Sequence, residues 1–105
     1  MLKLVQTTVA DGEQADRLAR MLVEQRLAAC VQAVPITSTY RWQGAIEQGG
    51  EILLLIKTTE ARSAALRLAL EREHPYDVPE IVTMDSDDVS GPYAAWAAEQ
   101  TTTGE

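Results

Sequence analysis

Cys30 and His74 are each the only residue of their type in the chain. A thiolate is a soft ligand suited to copper or another thiophilic ion, and imidazole binds many of the transition metals. A structural zinc site draws on about four N or S ligands. One chain offers these two, so a strong metal site has to recruit carboxylates, Met sulfur or a neighbouring subunit. Each residue also has a plain structural role. A free Cys is among the most buried residue types, and a His closing a helix suits the negative end of the helix dipole. Nucleophilic Cys–His catalysis would need the two side chains adjacent, which no spacing in the sequence requires. The run Asp85-Ser86-Asp87-Asp88 could meet a hard cation, but it lacks the spaced ligands and glycine of a calcium loop and reads as a solvated turn. Lys57 ends an apolar run, where a lysine marks an anion site or an ion pair between subunits. Tyr40, Trp42, Tyr76 and Trp96 read as packing residues. The sequence has no glycine-rich phosphate loop, nucleophile elbow or His-x-x-x-His pair.

The elements that must position these residues follow from hydrophobic period. Leu2 to Val9 is β-rich. Asp11 is an N-cap with Gln14 in the capping-box position, ahead of Ala15, Leu18, Ala19, Leu22 and Val23 at helical spacing as far as Arg26. From Cys30 to Trp42 alternation predicts a strand with Ile36, Ser38, Tyr40 and Trp42 on one face. Pro35 removes a ladder donor and predicts a bulge or an edge. Gln43-Gly44 predicts a turn, and Ile46 to Thr58 the returning strand, with a bulge at Gly49-Gly50. A second helix opens at Thr59 or Glu60 with Ala61, Ala64, Ala65, Leu68 and Ala69 as its apolar stripe, and Pro75 ends it. Ile81 to Met84 is a short strand. Ser90-Gly91-Pro92 starts a last helix carrying Tyr93 and Trp96. The order β-α-β-β-α-β plus a helix predicts an α+β, ferredoxin-like sandwich with a long hairpin between its second and third strands. Residues 1–100 form the expected single domain, and 101–105 a disordered tail.

Composition narrows the function classes. The 105 residues carry nine Lys and Arg against sixteen Asp and Glu, a formal net charge of −7. Nucleic acid is excluded as a partner, because a phosphate backbone is bound through clustered basic residues. The run Ile52 to Ile56 is far too short to cross a membrane, so no membrane association is expected. The first residues show no apolar signal-peptide core, and one cysteine makes no intrachain disulfide, so the expected location is the cytoplasm.

In Ile52-Leu53-Leu54-Leu55-Ile56 both side-chain sets are apolar. A strand with one wet face alternates apolar with polar. Two helices cover one face, so the other requires a cover, and a homo-oligomer supplies it. The competing cover is the C-terminal helix, folded back through Trp96.

Taken together, Leu27-Ala28-Ala29-Cys30-Val31, Tyr40-Arg41-Trp42-Gln43-Gly44, Glu51 to Thr58, His74-Pro75-Tyr76-Asp77-Val78-Pro79-Glu80, and Pro92-Tyr93 with Trp96 resemble the CutA divalent-cation tolerance family. The resemblance spans nearly the whole chain. Ala45 stands where the family often has Lys, Asp77 where Glu is commoner, and the additional cysteines of some bacterial members are missing. The resemblance implies a compact homotrimer, a role in tolerance of divalent cations, copper in particular, and no enzymatic activity. It makes Cys30 and His74 the candidate metal ligands, repeated by trimer symmetry. A second reading is a signalling or scaffold trimer, similar in architecture to the PII regulators. Its intersubunit clefts, lined by Lys57, Tyr76 and Glu80, would hold a small ligand.

Overall fold

The computed structural model describes residues 2–103. The elements run β1 (Leu2–Val9), α1 (Gly12–Glu24), β2 (Cys30–Trp42), β3 (Ala45–Thr59), α2 (Glu60–Glu73), β4 (Val82–Asp85) and α3 (Gly91–Gln100). The four strands form one antiparallel sheet in the order β2-β3-β1-β4. The expected α+β, ferredoxin-like arrangement is present, with each helical crossover spanning one intervening strand.

Local chemistry accounts for the element ends. Asp11 accepts the backbone N–H of Gln14, and the Gln14 side chain reaches back to accept from Ala10 N–H. One orphan donor of the first turn, Gln14 N–H, is thereby satisfied, as is the N–H of Ala10 just before the cap. α1 stops at Glu24 rather than at Arg26, which takes up φ 57° and turns the chain toward β2. The β2–β3 hairpin closes on Gln43 and Gly44 at φ 50° and 84°, the positive pair of a type I′ turn, whose twist matches the flanking strands. Because β1 pairs only with Ile52–Thr59, residues 36–42 and 45–51 overhang the rest of the sheet and stretch the molecule to 47 × 26 × 21 Å.

Pro35 lies on an edge strand, one of the two outcomes expected of it, and pairs in register with Ile52. Two expectations need correction. Gly49 and Gly50 also stay in register, opposite Ser38 and Thr37. The type I′ turn leaves equal arms, so no extra residue has to be absorbed. The apolar stripe of α2 is rotated. Leu66, Ala69 and Leu70 are buried, whereas Ala61 and Ala64 are exposed and Leu68 is 55% exposed. Alanine runs carry little directional information, and the larger Leu66 and Leu70 decide the buried side. Thr101 is 3% exposed and caps α3, its hydroxyl donating to Ala97 O at 2.9 Å. Residues 104–105 of the expected tail lie outside the described residues.

The core lies between the helices and one sheet face. Val5, Val9, Leu54 and Ile56 meet Ala15, Leu18 and Leu22 of α1 and Leu66, Ala69 and Leu70 of α2. Thr58 is fully buried here, and its hydroxyl donates to Leu27 O at 2.7 Å. That hydrogen bond removes the desolvation penalty of a polar atom in a dry core. On the other face Leu53 and Leu55 are half-buried, while Val34, Val82 and Met84 are 41%, 45% and 37% exposed. α3 approaches one end of this face, with Ala97 buried and Tyr93 near Lys57. Trp96 is 42% exposed, and the middle of the face stays uncovered by this chain.

Leu54 is 0% exposed at the centre of the core. Leu54→Ala should lose about 2–5 kcal/mol of stability in urea unfolding. Leu54→Asp, which strands an unpaired charge, should aggregate or fail to fold. An unchanged urea midpoint in the alanine variant would contradict this packing.

Candidate functional site

The overhanging hairpin and the segment after α2 enclose a cleft of about 630 Å³. Alternation along β2 puts Ser38, Tyr40 and Trp42 on the face away from the helices, and the register sets Glu51 opposite Ile36 on that same face. β1 contributes Thr8, and the 74–80 segment contributes Tyr76, Asp77 and Glu80. Pro75 forces that segment out of helix. His74, the C-cap of α2, is already extended at ψ 136°, which starts the chain across the end of β1.

The polar contacts form a connected line from the core to the cleft. His74 Nδ1 accepts the Tyr76 backbone N–H at 3.1 Å, so in the neutral ring the proton resides on Nε2, 3.0 Å from Thr7 Oγ1. The His74 and Tyr76 rings lie 5.0 Å apart at a 53° tilt, which fixes the phenol's direction. Tyr76 OH donates to Glu51 Oε2 at 2.8 Å. Glu80 Oε2 accepts from Gln6 Nε2 at 2.7 Å.

Burial and hydrogen bonding set the protonation states. Burial pushes the Tyr76 phenol up and the Glu51 carboxylate beside it adds to this, so Tyr76 stays a donor. For Glu51, burial acts upward, but hydrogen bonds from Ser38, Tyr76 and Thr8 and the nearby His74 outweigh it. The carboxyl is held below its ordinary 4.5. Burial lowers His74 below 6.5, only partly offset by its hydrogen bond to the Thr8 backbone and by Glu51. The cleft therefore presents carboxylates and aromatic rings, and among the described residues no Lys, Arg or His lines it.

The residues singled out in the sequence separate into two places. Tyr76 and Glu80 line the cleft together. Lys57 does not. It pairs with Cys30 and Leu4 near the opposite end of the sheet, its Nζ 5.6 Å from the Tyr93 ring centroid. Cys30 is half-buried on the face opposite α1 and α2, whereas His74 meets Thr7, a buried residue of the face those two helices cover. The two candidate ligands are not brought together within one chain. Among the described residues no group of three or more His, Cys, Asp or Glu side chains could hold a metal ion. Asp85 instead ends β4 and pairs with Lys3, and Ser86 Oγ donates to Leu2 O at 2.7 Å.

Sequence reasoning missed Glu51, Ser38 and Thr8, and it took Tyr40 and Trp42 for packing residues, although they are 51% and 46% exposed. The available signal was the shared parity of Ser38, Tyr40 and Trp42. What joins them to Glu51 is register.

The profile of the CutA1 divalent ion tolerance protein family matches residues 3–100. The chain belongs to this family. Similar members include the divalent-cation tolerance protein CutA of Thermus thermophilus, 44% identical over 102 residues, 96% of this chain and 99% of that one. The CutA of Pyrococcus horikoshii is 37% identical over 98 residues, 93% of this chain and 96% of that protein. The solved structure of CutA from Synechococcus elongatus PCC7942 superposes with a TM-score of 0.94 at 40% identity, covering 96% of this chain and 90% of that one. The CutA fold therefore holds for this chain in its elements and their order.

The two lowered groups make stability depend on pH in a stated direction. Folding favours neutral His74, so just below 6.5 the unfolded chain binds more protons. This contribution is complete above 6.5 and is lost as pH falls through the folded value. Glu51 adds a second loss below 4.5. Urea unfolding from pH 8 to pH 3 should show both declines in the wild type, and only the lower one in His74→Gln. An upper decline that persists in His74→Gln would assign it to another group.

Proposed function

We propose that this chain serves divalent-cation tolerance as a cytoplasmic homotrimer that binds copper through Cys30 and catalyses no reaction. The observation that carries this reading is the position of Cys30. Its thiol is half-buried on an edge strand, on the sheet face opposite α1 and α2, opposite Lys57 at the end that α3 approaches. A symmetric assembly over that face brings copies of Cys30 under one symmetry and supplies the donors that a single chain lacks. The exposed Val34, Val82 and Met84, beside half-buried Leu53 and Leu55, support the assembly, because a contiguous apolar patch of this kind marks an interface. His74 adds a nitrogen ligand for Cu(II) only if Nδ1 exchanges the Tyr76 N–H for the ion.

A second reading has its own support. The cleft that includes Tyr76 and Glu80 has the size of a small-ligand site, which suits a non-enzymatic signalling or scaffold trimer. Lys57 lies outside that cleft and plays no part in this reading.

Light scattering at micromolar concentration should return a mass of about three chains, and a stable monomer would refute the assembly. Anaerobic, chelator-buffered calorimetry tests the metal. Cu(I) binding should be saturable in the wild type and lost in Cys30→Ala. Cu(II) binding should weaken in His74→Ala, and both should weaken as pH falls, since each ligand must be deprotonated. Unchanged binding in both variants would make the two residues structural and favour the cleft.

A further inference from the structure

We propose that the cleft bounded by Tyr40, Trp42, Tyr76, Glu51, Asp77 and Glu80 binds a small organic cation, an alkylated ammonium group held among aromatic rings and carboxylates. This inference rests on the small-ligand reading of the cleft and adds the chemical class of the ligand.

Charge decides the sign of the ligand. The cleft contains three carboxylates and, among the described residues, no Lys, Arg or His to balance them. Glu51 and Glu80 are each met by a neutral donor, Tyr76 OH and Gln6 Nε2, so hydrogen bonding leaves their negative charge in place. An anion would be repelled. A neutral apolar ligand would desolvate the carboxylates without replacing their solvation.

The walls decide the kind of cation. A hard divalent ion takes about six to eight oxygen ligands in one tight shell. Here the carboxylates are interleaved with aromatic rings, and among the described residues no cluster of three or more His, Cys, Asp or Glu is placed to hold an ion. Aromatic faces attract a cation most strongly when it is large, diffuse and weakly hydrated, as an alkylated ammonium is. Tyr40 and Trp42 are 51% and 46% exposed on the single chain, so its own side chains leave their rings uncovered. Tyr76 is fixed at both ends, by the His74 ring and by the bond to Glu51, and supplies a wall that is already ordered. A volume of about 630 Å³ lies within the range of small-molecule sites.

Calorimetry of the full chain with choline as probe, beside its neutral tert-butyl isostere, tests the assignment. Choline should bind saturably, the isostere at least about tenfold more weakly, and Trp42→Ala should lower choline affinity about tenfold. Glu80→Gln should weaken binding and reduce its salt dependence, and Arg20→Gln, exposed on α1 and outside the cleft, should leave it unchanged. If the isostere binds as tightly as choline, the cleft is still a small-ligand site and the cationic assignment falls. If neither binds, as when a neighbouring copy fills the cleft, both readings fall. Loss of choline binding in Arg20→Gln would place the ligand elsewhere and overturn the proposal.

Discussion

The register of β3 between β1 and β2 is the constraint on which the rest of the molecule depends. Pairing Ile52 with Val9 and with Pro35 aligns Ile52, Leu54 and Ile56 with Val5, Thr7 and Val9 on the face that receives both helices. Side chains alternate with period two, so a slip of one residue would turn Leu54 outward and bring Leu53 and Leu55 into the core. Both sets are apolar, so hydrophobicity alone does not choose between the registers. Gln43 and Gly44 choose, because a two-residue type I′ turn leaves one pairing for the whole hairpin. Buried Thr58 adds a second discriminator, since its hydroxyl has an acceptor at Leu27 O in this register.

The same register builds the cleft. It places Glu51 one step beyond the end of β1, on the face that carries Ser38, Tyr40 and Trp42. Tyr76 can then close on Glu51 because Pro75 has already turned the chain out of α2. His74 joins the two layers, with one ring nitrogen at Thr7 on the helix-covered face and the other at the backbone of the cleft-lining Tyr76. Core packing and cleft geometry are therefore coupled through one half-buried imidazole. Its depressed proton affinity follows from burial.

The copper reading rests on Cys30 and on the part of the sheet face that this chain leaves open. The chain separates its thiol from its imidazole across the sheet, which is why the copper reading calls on symmetry. The cleft needs no such help for its electrostatics, since its carboxylates and rings come from one chain. The two readings use opposite ends of one sheet face.

Strand and helix identities, the antiparallel order and the apolar second face were legible in the sequence because they rest on period and local chemistry. Asp11 with Gln14, Gln43-Gly44 and Pro75 each act within a few residues. Cys30 and His74 were legible as types, being unique. The family resemblance came from motifs spread along the chain. Burial of Leu66 and Leu70 rather than Leu68 was not legible, because a helix rich in alanine leaves its orientation to the partner surface. Nor was the distance between Cys30 and His74, or the meeting of Glu51 with Tyr76, residues far apart in sequence. Those depend on strand register and on the path after Pro75, and only the packed sheet sets them.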